Sequence, residues 1–129
     1  MPPVGTIMSS ELVSVEAGVP LGEAAKRMDE RRVGAALVLD GERLVGIVTE
    51  RDVMRAVATG RVDGSTVGDW MTPDPETVES TDTTGQAAVL MIHGGFRHLP
   101  VVDGEQVVGI ISIRDLIRVI LDDEAPRGV

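Results

Sequence analysis

The chain has 129 residues, 43% of them apolar and 26% charged, which is the composition of a soluble globular protein. A formal net charge of −9 makes nucleic acid an unexpected partner, because a phosphate backbone requires a basic surface. No apolar run approaches the roughly 18 residues of a membrane span, and the start at Met1 is neither basic nor followed by an apolar core. We therefore expect a cytoplasmic protein that binds neither nucleic acid nor membranes.

Five elements are predicted along the first sixty residues, in the order β-α-β-β-α. Apolar residues from Leu21 to Met28 recur at helical spacing, which places them on one face of the first helix. An Asp40-Gly41 pair between two apolar runs predicts the turn of a hairpin, and Thr49 then opens the second helix. The elements are expected at 12–15, 21–32, 35–39, 44–48 and 49–60.

The second half of the chain repeats the first at a constant offset of 63 residues. From Val4 to Arg55, 19 of 52 positions are identical to the residue 63 places later, against roughly three expected by chance. Such a duplication predicts two copies of one supersecondary unit. We assign 1–60 to the first repeat, 61–66 to a linker, 67–122 to the second repeat and 123–129 to a polar tail.

Two β-α-β-β-α copies predict an α+β fold, with two short sheets that each carry helices on one side. A unit of about 60 residues is marginal alone, so the two copies are expected to stack with pseudo-two-fold symmetry through their apolar faces. The last helix is the most apolar in the chain, and much of its surface has no evident partner within one chain. We therefore expect a homodimer formed through helix faces.

No arrangement of residues in the sequence predicts an enzyme. Cysteine is absent, and no Ser or Thr has a plausible His and acidic partner at matching places in both copies. His93 and His98 lack the further ligands that a zinc site needs. We therefore expect no catalytic residue, no metal and no required cofactor.

One pattern present in both copies combines polar groups suited to a ligand. Gly46 to Asp52 and Gly109 to Asp115 share the order Gly, two β-branched residues, a hydroxyl residue, two variable positions and Asp. A hydroxyl residue three places before Asp at a helix start is a capping box, which explains the pattern without a ligand. Alternatively, the helix N-terminus and hydroxyl receive a phosphate while the carboxylate accepts hydrogen bonds from a ribose cis-diol. Gly46 and Gly109 would then let the ligand approach the backbone closely.

The duplicated unit with this motif at its last strand–helix junction resembles a pair of CBS domains, a Bateman module. The resemblance covers about 4–121 and includes Met71-Thr72-Pro73 and Leu99-Pro100-Val101-Val102-Asp103. It implies two clefts between the repeats that bind an adenosine-containing ligand: AMP, ADP, ATP or S-adenosylmethionine. It also implies that the motif Asp holds the ribose and that the hydroxyl residue lies near ribose and phosphate. The residues concerned are Thr49, Asp52, Ser112 and Asp115.

The same resemblance implies a role for basic residues just before the second strand of each copy. Arg97 and His98 stand there in the second copy, where they are expected to reach phosphate. The first copy has Gly34-Ala35 instead, so the two clefts should differ. Arg51 and Arg114 precede the motif Asp and either lean over the phosphate or pair with nearby acids in solvent.

Two functional hypotheses follow. The first is a stand-alone regulatory module whose adenine nucleotide is a regulatory ligand and whose occupancy shifts the population of two conformations. Because no effector domain is predicted in the chain, its output would be a partner protein. The alternative is a ligand-free interaction or dimerisation module with vestigial clefts.

Overall fold

The computed structural model describes residues 1–124, and these residues form five helices and six strands. A 3-10 turn at Val4–Thr6 precedes them. The helices are α1 (Leu21–Arg31), α2 (Glu50–Ala58), α3 (Val67–Trp70), α4 (Thr84–Gly94) and α5 (Ile113–Glu124). The strands are β1 (Ser14–Val15), β2 (Ala35–Asp40), β3 (Arg43–Thr49), β4 (Thr72–Pro73), β5 (His98–Asp103) and β6 (Gln106–Ser112).

The order β-α-β-β-α predicted for each copy is present, and the α+β class is confirmed. In the second copy the first strand is reduced to a single parallel bridge between Val78 and Val101. Helix α1 ends where Arg32 adopts a left-handed conformation with φ 56°, and α4 ends in the same way at Gly95 with φ 71°. Helix α5 extends to Glu124, two residues into the predicted polar tail, and the rest of that tail lies outside the described residues.

The chain forms two compact units, and one of them takes segments from both ends of the sequence. The first-repeat unit comprises Glu11–Pro75, and the second-repeat unit comprises Met1–Ser10 together with the chain from Glu76 onward. The linker and the start of the second repeat therefore belong with the first repeat, and the first ten residues belong with the second. The repeats divide the chain near 60–67, whereas the compact units divide it after Ser10 and Pro75.

The first-repeat unit is built on a sheet of strand order β1-β2-β3-β4. Strand β1 is parallel to β2, β2 and β3 form an antiparallel hairpin, and β4 pairs antiparallel with β3 at its outer edge. The core of this unit consists of fully or nearly fully buried apolar residues from the sheet and from α1, α2 and α3. Its buried members are Val15, Leu21, Ala24, Met28, Ala36, Val38, Val48, Ala56 and Val67.

The second-repeat unit repeats this topology around the β5–β6 hairpin. Val78 lies beside Val101 in the position of β1, and Ser9 lies beside Ile110 in the position of β4. Each pairing is the first-repeat pairing displaced by the same 63 residues. Its buried core consists of Val4, Val78, Ala87, Met91, Leu99, Val101, Ile111 and Leu116.

The segments at 4–10 and 67–73, here called the exchanged segments, dock on the other repeat through a methionine over a glycine. A Cβ atom at Gly46 would lie 2.5 Å from the Met71 sulfur, and one at Gly109 would lie 2.5 Å from the Met8 sulfur. Both glycines are buried. The structural reason for glycine is thus the packing of an exchanged segment, which differs from the close ligand approach expected from the sequence.

One contact fastens the exchanged segment in the second-repeat unit only. Asp103 accepts hydrogen bonds from the Ser80 hydroxyl (2.6 Å) and the Ser80 backbone N–H (2.9 Å), and these two bonds lower the pKa of Asp103. The Ser80 carbonyl in turn accepts from the N–H of Gly5 at 2.8 Å. The first repeat has Ala17 in place of Ser80, so Asp40, the counterpart of Asp103, has no hydroxyl to bind there.

Gly109→Ala should destabilise the protein by about 1–3 kcal/mol, because the added methyl group meets the Met8 sulfur and, at 2.9 Å, the Ser9 carbonyl oxygen. Gly18 is the matched control, since a Cβ there meets no atom within 4 Å. Chemical denaturation of both variants measures the effect. Equal stability of Gly109→Ala and Gly18→Ala would contradict the packing described.

Asp103→Ala should lower the melting temperature at neutral pH, and the deficit should shrink towards zero in acid. Because the folded-state pKa of Asp103 is lowered, its stabilisation is complete above the unfolded pKa of about 3.9 and is lost as the pH falls through the folded value. Thermal melts from neutral to strongly acid pH test this. Asp40→Ala is the control and should show a smaller deficit at neutral pH. A deficit of Asp103→Ala that did not change with pH would refute the assignment.

Candidate functional site

The first copy of the motif lies where β3 ends and α2 begins. Thr49 is the N-cap of α2, and its backbone N–H donates to Asp52 Oδ2 at 2.8 Å. The Thr49 hydroxyl donates to the same oxygen at 3.2 Å. Both side chains are half-buried at the surface of the unit. The capping box expected from the sequence is therefore formed.

The second copy has the same geometry where β6 meets α5. The Ser112 N–H and hydroxyl donate to Asp115 Oδ2 at 2.8 and 3.0 Å. The Asp115 N–H donates back to the Ser112 hydroxyl at 3.2 Å, which closes the reciprocal pair. Asp115 thus holds the first turn of α5 by its own carboxylate.

Capping occupies only one oxygen of each motif carboxylate. Oδ1 of Asp52 and Oδ1 of Asp115 accept no hydrogen bond from any residue between Met1 and Glu124. Each of these oxygens keeps its lone pairs for an outside donor. The two explanations of the motif, helix capping and ligand binding, are therefore compatible within one side chain.

Capping geometry by itself does not identify a site in this protein. The same reciprocal box occurs at Thr66–Asp69, where the Thr66 N–H lies 2.9 Å from Asp69 Oδ2, and at Thr83–Gln86. Neither of these boxes follows the hairpin strand of a repeat. What distinguishes Asp52 and Asp115 is their position at the end of that strand.

The hairpin register brings the predicted basic positions against the motif. Ala35 is the register partner of Thr49, and His98 is the register partner of Ser112. The carbonyl of Gly34 accepts from the first N–H of α2 at 2.9 Å, and the carbonyl of Arg97 accepts from the first N–H of α5 at 2.8 Å. Each unit therefore gathers its motif residues and its pre-strand residues at one end of its hairpin.

The two assemblies of residues differ in charge. Arg97 and Arg114 are exposed in the second-repeat unit, with His98 half-buried beside them, whereas the first-repeat unit has Arg51 with Gly34-Ala35. None of the three arginines forms an ion pair with another residue of the described chain. The alternative in which Arg51 and Arg114 pair with nearby acids is thus not seen. Their guanidinium groups are available to an anion.

The exchanged segments lie alongside the motif strands, and sequence reasoning missed this. Thr72 pairs with Ile47 in the first-repeat unit, and Ser9 pairs with Ile110 in the second. In each case a hydroxyl residue stands on the strand next to the one that carries the motif. The available signal was the repeated pair of Met followed by Ser or Thr, which does not reveal the repeat that the segment joins.

Two other kinds of site receive no support from the part of the chain that the structure describes. It contains no group of three or more His, Cys, Asp and Glu residues placed to hold a metal ion. It also contains no helix that is both long and apolar enough to cross a membrane.

Residues 4–59 and 67–122 each match the CBS domain family, so the match covers both repeats and leaves out the linker. The chain belongs to the CBS domain family. It is a tandem pair of CBS domains, and the resemblance inferred from the motif and the duplication is confirmed.

Known relatives of this CBS pair span very different lengths. An uncharacterised 17.7 kDa protein of Acidianus ambivalens is 39% identical over 121 residues, which are 92% of this chain and 73% of that protein. Of two other curated relatives, the chain spans only 44% and 19% of the length. The CBS pair is thus also found as part of longer proteins.

Two solved structures of similar fold contain adenosine compounds. A CBS domain protein from Pyrobaculum aerophilum, complexed with AMP, is 31% identical with a TM-score of 0.86, covering 95% of this chain and 97% of that one. A CBS domain pair in complex with 5′-methylthioadenosine and S-adenosyl-L-methionine is 26% identical with a TM-score of 0.89, covering 95% and 98%.

Proposed function

We propose that this CBS pair is a regulatory module that binds an adenosine-containing ligand at the motif end of each hairpin. The observation that carries the proposal is the unused Oδ1 of Asp52 and of Asp115. The relatives solved with AMP and with 5′-methylthioadenosine and S-adenosyl-L-methionine support the ligand class.

Ribose is the part of the ligand that suits this oxygen. A ribose cis-diol offers two O–H donors on neighbouring carbons, and a carboxylate oxygen has two lone pairs to receive them. The acceptor is charged, so the hydrogen bonds are short and roughly twice as strong as neutral ones. Because the capping bonds hold Asp52 and Asp115 through Oδ2, the carboxylate orientation is set before the ligand arrives.

The two repeats should select different ligands of this class. Arg97, Arg114 and the N-terminus of α5 give the second repeat donors for a phosphate. The first repeat has Arg51 and two residues without polar side chains, Gly34-Ala35. We assign a nucleotide such as AMP to the second repeat and a ligand without phosphate, such as 5′-methylthioadenosine, to the first.

Occupancy would act through conformation. A ligand that binds one conformation of the module more tightly shifts the population towards it by its differential affinity alone. The output would then be read by a partner protein or by further segments of a longer chain. The competing function, an interaction module that binds no ligand, is supported by the complete capping boxes, which explain the motif without one.

Asp115→Asn should weaken binding of the nucleotide while it keeps the helix cap. The Asn oxygen can still accept from the Ser112 N–H, but an NH₂ group then stands where Oδ1 was. Loss of the charged acceptor should cost about 2–4 kcal/mol, roughly 30- to 1000-fold in affinity. Isothermal titration of wild type, Asp52→Asn, Asp115→Asn and the double variant measures it, with melting temperatures recorded alongside.

The matched control for this experiment is Asp69→Asn, which changes the same capping geometry outside the motif. It should leave affinity unchanged and alter only stability. If the Asp52/Asp115 double variant bound adenosine ligands as wild type does, the motif would be a capping box alone and the interaction-module alternative would stand.

AMP and ADP should bind at least as tightly as ATP, because a net charge of −9 opposes each added phosphate, although screening limits this effect to within about 8 Å at physiological salt. Arg97→Ala should weaken AMP roughly fivefold or more and leave adenosine unchanged, since only AMP has a phosphate to lose. Arg43→Ala, an exposed arginine at the turn end of the hairpin, is the control. Calorimetry that showed ATP clearly tightest, or equal losses for AMP and adenosine, would count against this assignment.

A further inference from the structure

The two helices of the second repeat expose large apolar side chains, here called the α4–α5 face. Helix α4 contains no charged residue, although its surface is only partly covered. A helix that is apolar on all sides is normally buried. The α4–α5 face consists of Val89 (54% exposed), Ile92 (74%), Ile117 (48%), Ile120 (50%) and Leu121 (61%).

The first repeat does not present the same surface. At the positions of Val89 and Ile92, α1 carries the exposed charges Lys26 and Asp29. The repeats have therefore diverged where their helices meet solvent, while the cores have kept equivalent residues. This difference makes the second repeat the one whose helices need a cover.

A pair of charges beside the apolar stripe indicates what covers it. Arg118 and Asp122 are exposed, stand one turn apart on α5, and form no ion pair within the described residues. An acid that precedes a base by four residues is the favourable order in a helix, and the reverse order is poorer. The favourable order does pair in this protein, since Glu23 and Arg27 lie 2.8 Å apart. Arg118 and Asp122 are thus left for a partner.

We propose that the α4–α5 face binds the same face of a second copy of this chain. In an isologous contact each copy supplies both members of every pair, so Arg118 of one copy meets Asp122 of the other, twice. A partner with charges of one sign could satisfy only one of the two residues. The self-complementary order of charges therefore selects a second copy.

The helix geometry specifies how the copies meet. Two antiparallel α5 helices related by a two-fold axis level with Ile120 bring each Arg118 opposite the other copy's Asp122 along one edge. The same axis places Leu121 near the Leu121 of the second copy at the centre of the contact, because one residue rises only about 1.5 Å along the helix. Helix α2 lacks this arrangement, since Arg55 and Thr59 stand in the places of Arg118 and Asp122.

Charge reversal tests the pairing. Arg118→Asp and Asp122→Arg should each raise the dimer dissociation constant about tenfold or more, because each change breaks two ion pairs and sets like charges opposite each other. The double variant Arg118→Asp/Asp122→Arg should restore dimerisation, since the pairs re-form with their signs exchanged. Sedimentation equilibrium over a concentration series measures all four proteins. Singles that dimerise as wild type does, or a double variant weaker than both singles, would overturn the proposal.

Disulfide formation tests the two-fold axis. The chain has no cysteine, so Leu121→Cys introduces a single thiol that can cross-link only to another copy of itself. Mild oxidation should convert most of the Leu121→Cys dimer into a covalent dimer. Ala58→Cys, the equivalent position on α2, is the control and should cross-link only at the background rate. A monomeric wild-type protein at micromolar concentration, or equal cross-linking of both variants, would disprove the α4–α5 contact.

Discussion

The packing of one methionine sulfur over one buried glycine organises each half of this protein. Met71 over Gly46 and Met8 over Gly109 bring a hydroxyl-bearing segment onto the outer edge of the motif strand. The strand that carries the motif is thereby covered on both edges within its unit, so its end is held where the following helix must start. A side chain at either glycine would displace the segment and leave that edge unpaired. The position of the capped Asp therefore depends on a contact made several residues before it.

Much of the fold could be derived because the two repeats report on each other. An apolar run at 35–39 is ambiguous alone, but the same run recurs 63 residues later before the same Asp-Gly turn. Capping at Thr49 and Ser112 was also predictable, since it depends on residues three places apart. By contrast, the exchanged segments could not be assigned. Val4 and Val67 have identical local patterns, and the choice of core for each is a long-range packing decision that no local periodicity records.

The candidate site was predicted to the level of residue identity but not of atoms. Sequence pattern presents the capping and ligand explanations of Asp52 and Asp115 as rivals. The structure shows that capping takes one carboxylate oxygen and leaves the other, which removes the rivalry. Duplication has then allowed divergence at fixed positions of one scaffold. Ala17 against Ser80 and Gly34 against Arg97 change the chemistry of a unit without a change in its strand register.

The discontinuity of the second-repeat unit has a consequence for biosynthesis. Ser9 pairs with Ile110, about a hundred residues away, so the first segment to leave the ribosome has its partners in the last. The first-repeat unit is one continuous stretch and can form while the chain is still being made. Val4, fully buried in the finished protein, stays without its core until translation has passed α5. The opening residues of the chain are therefore the last to find their place.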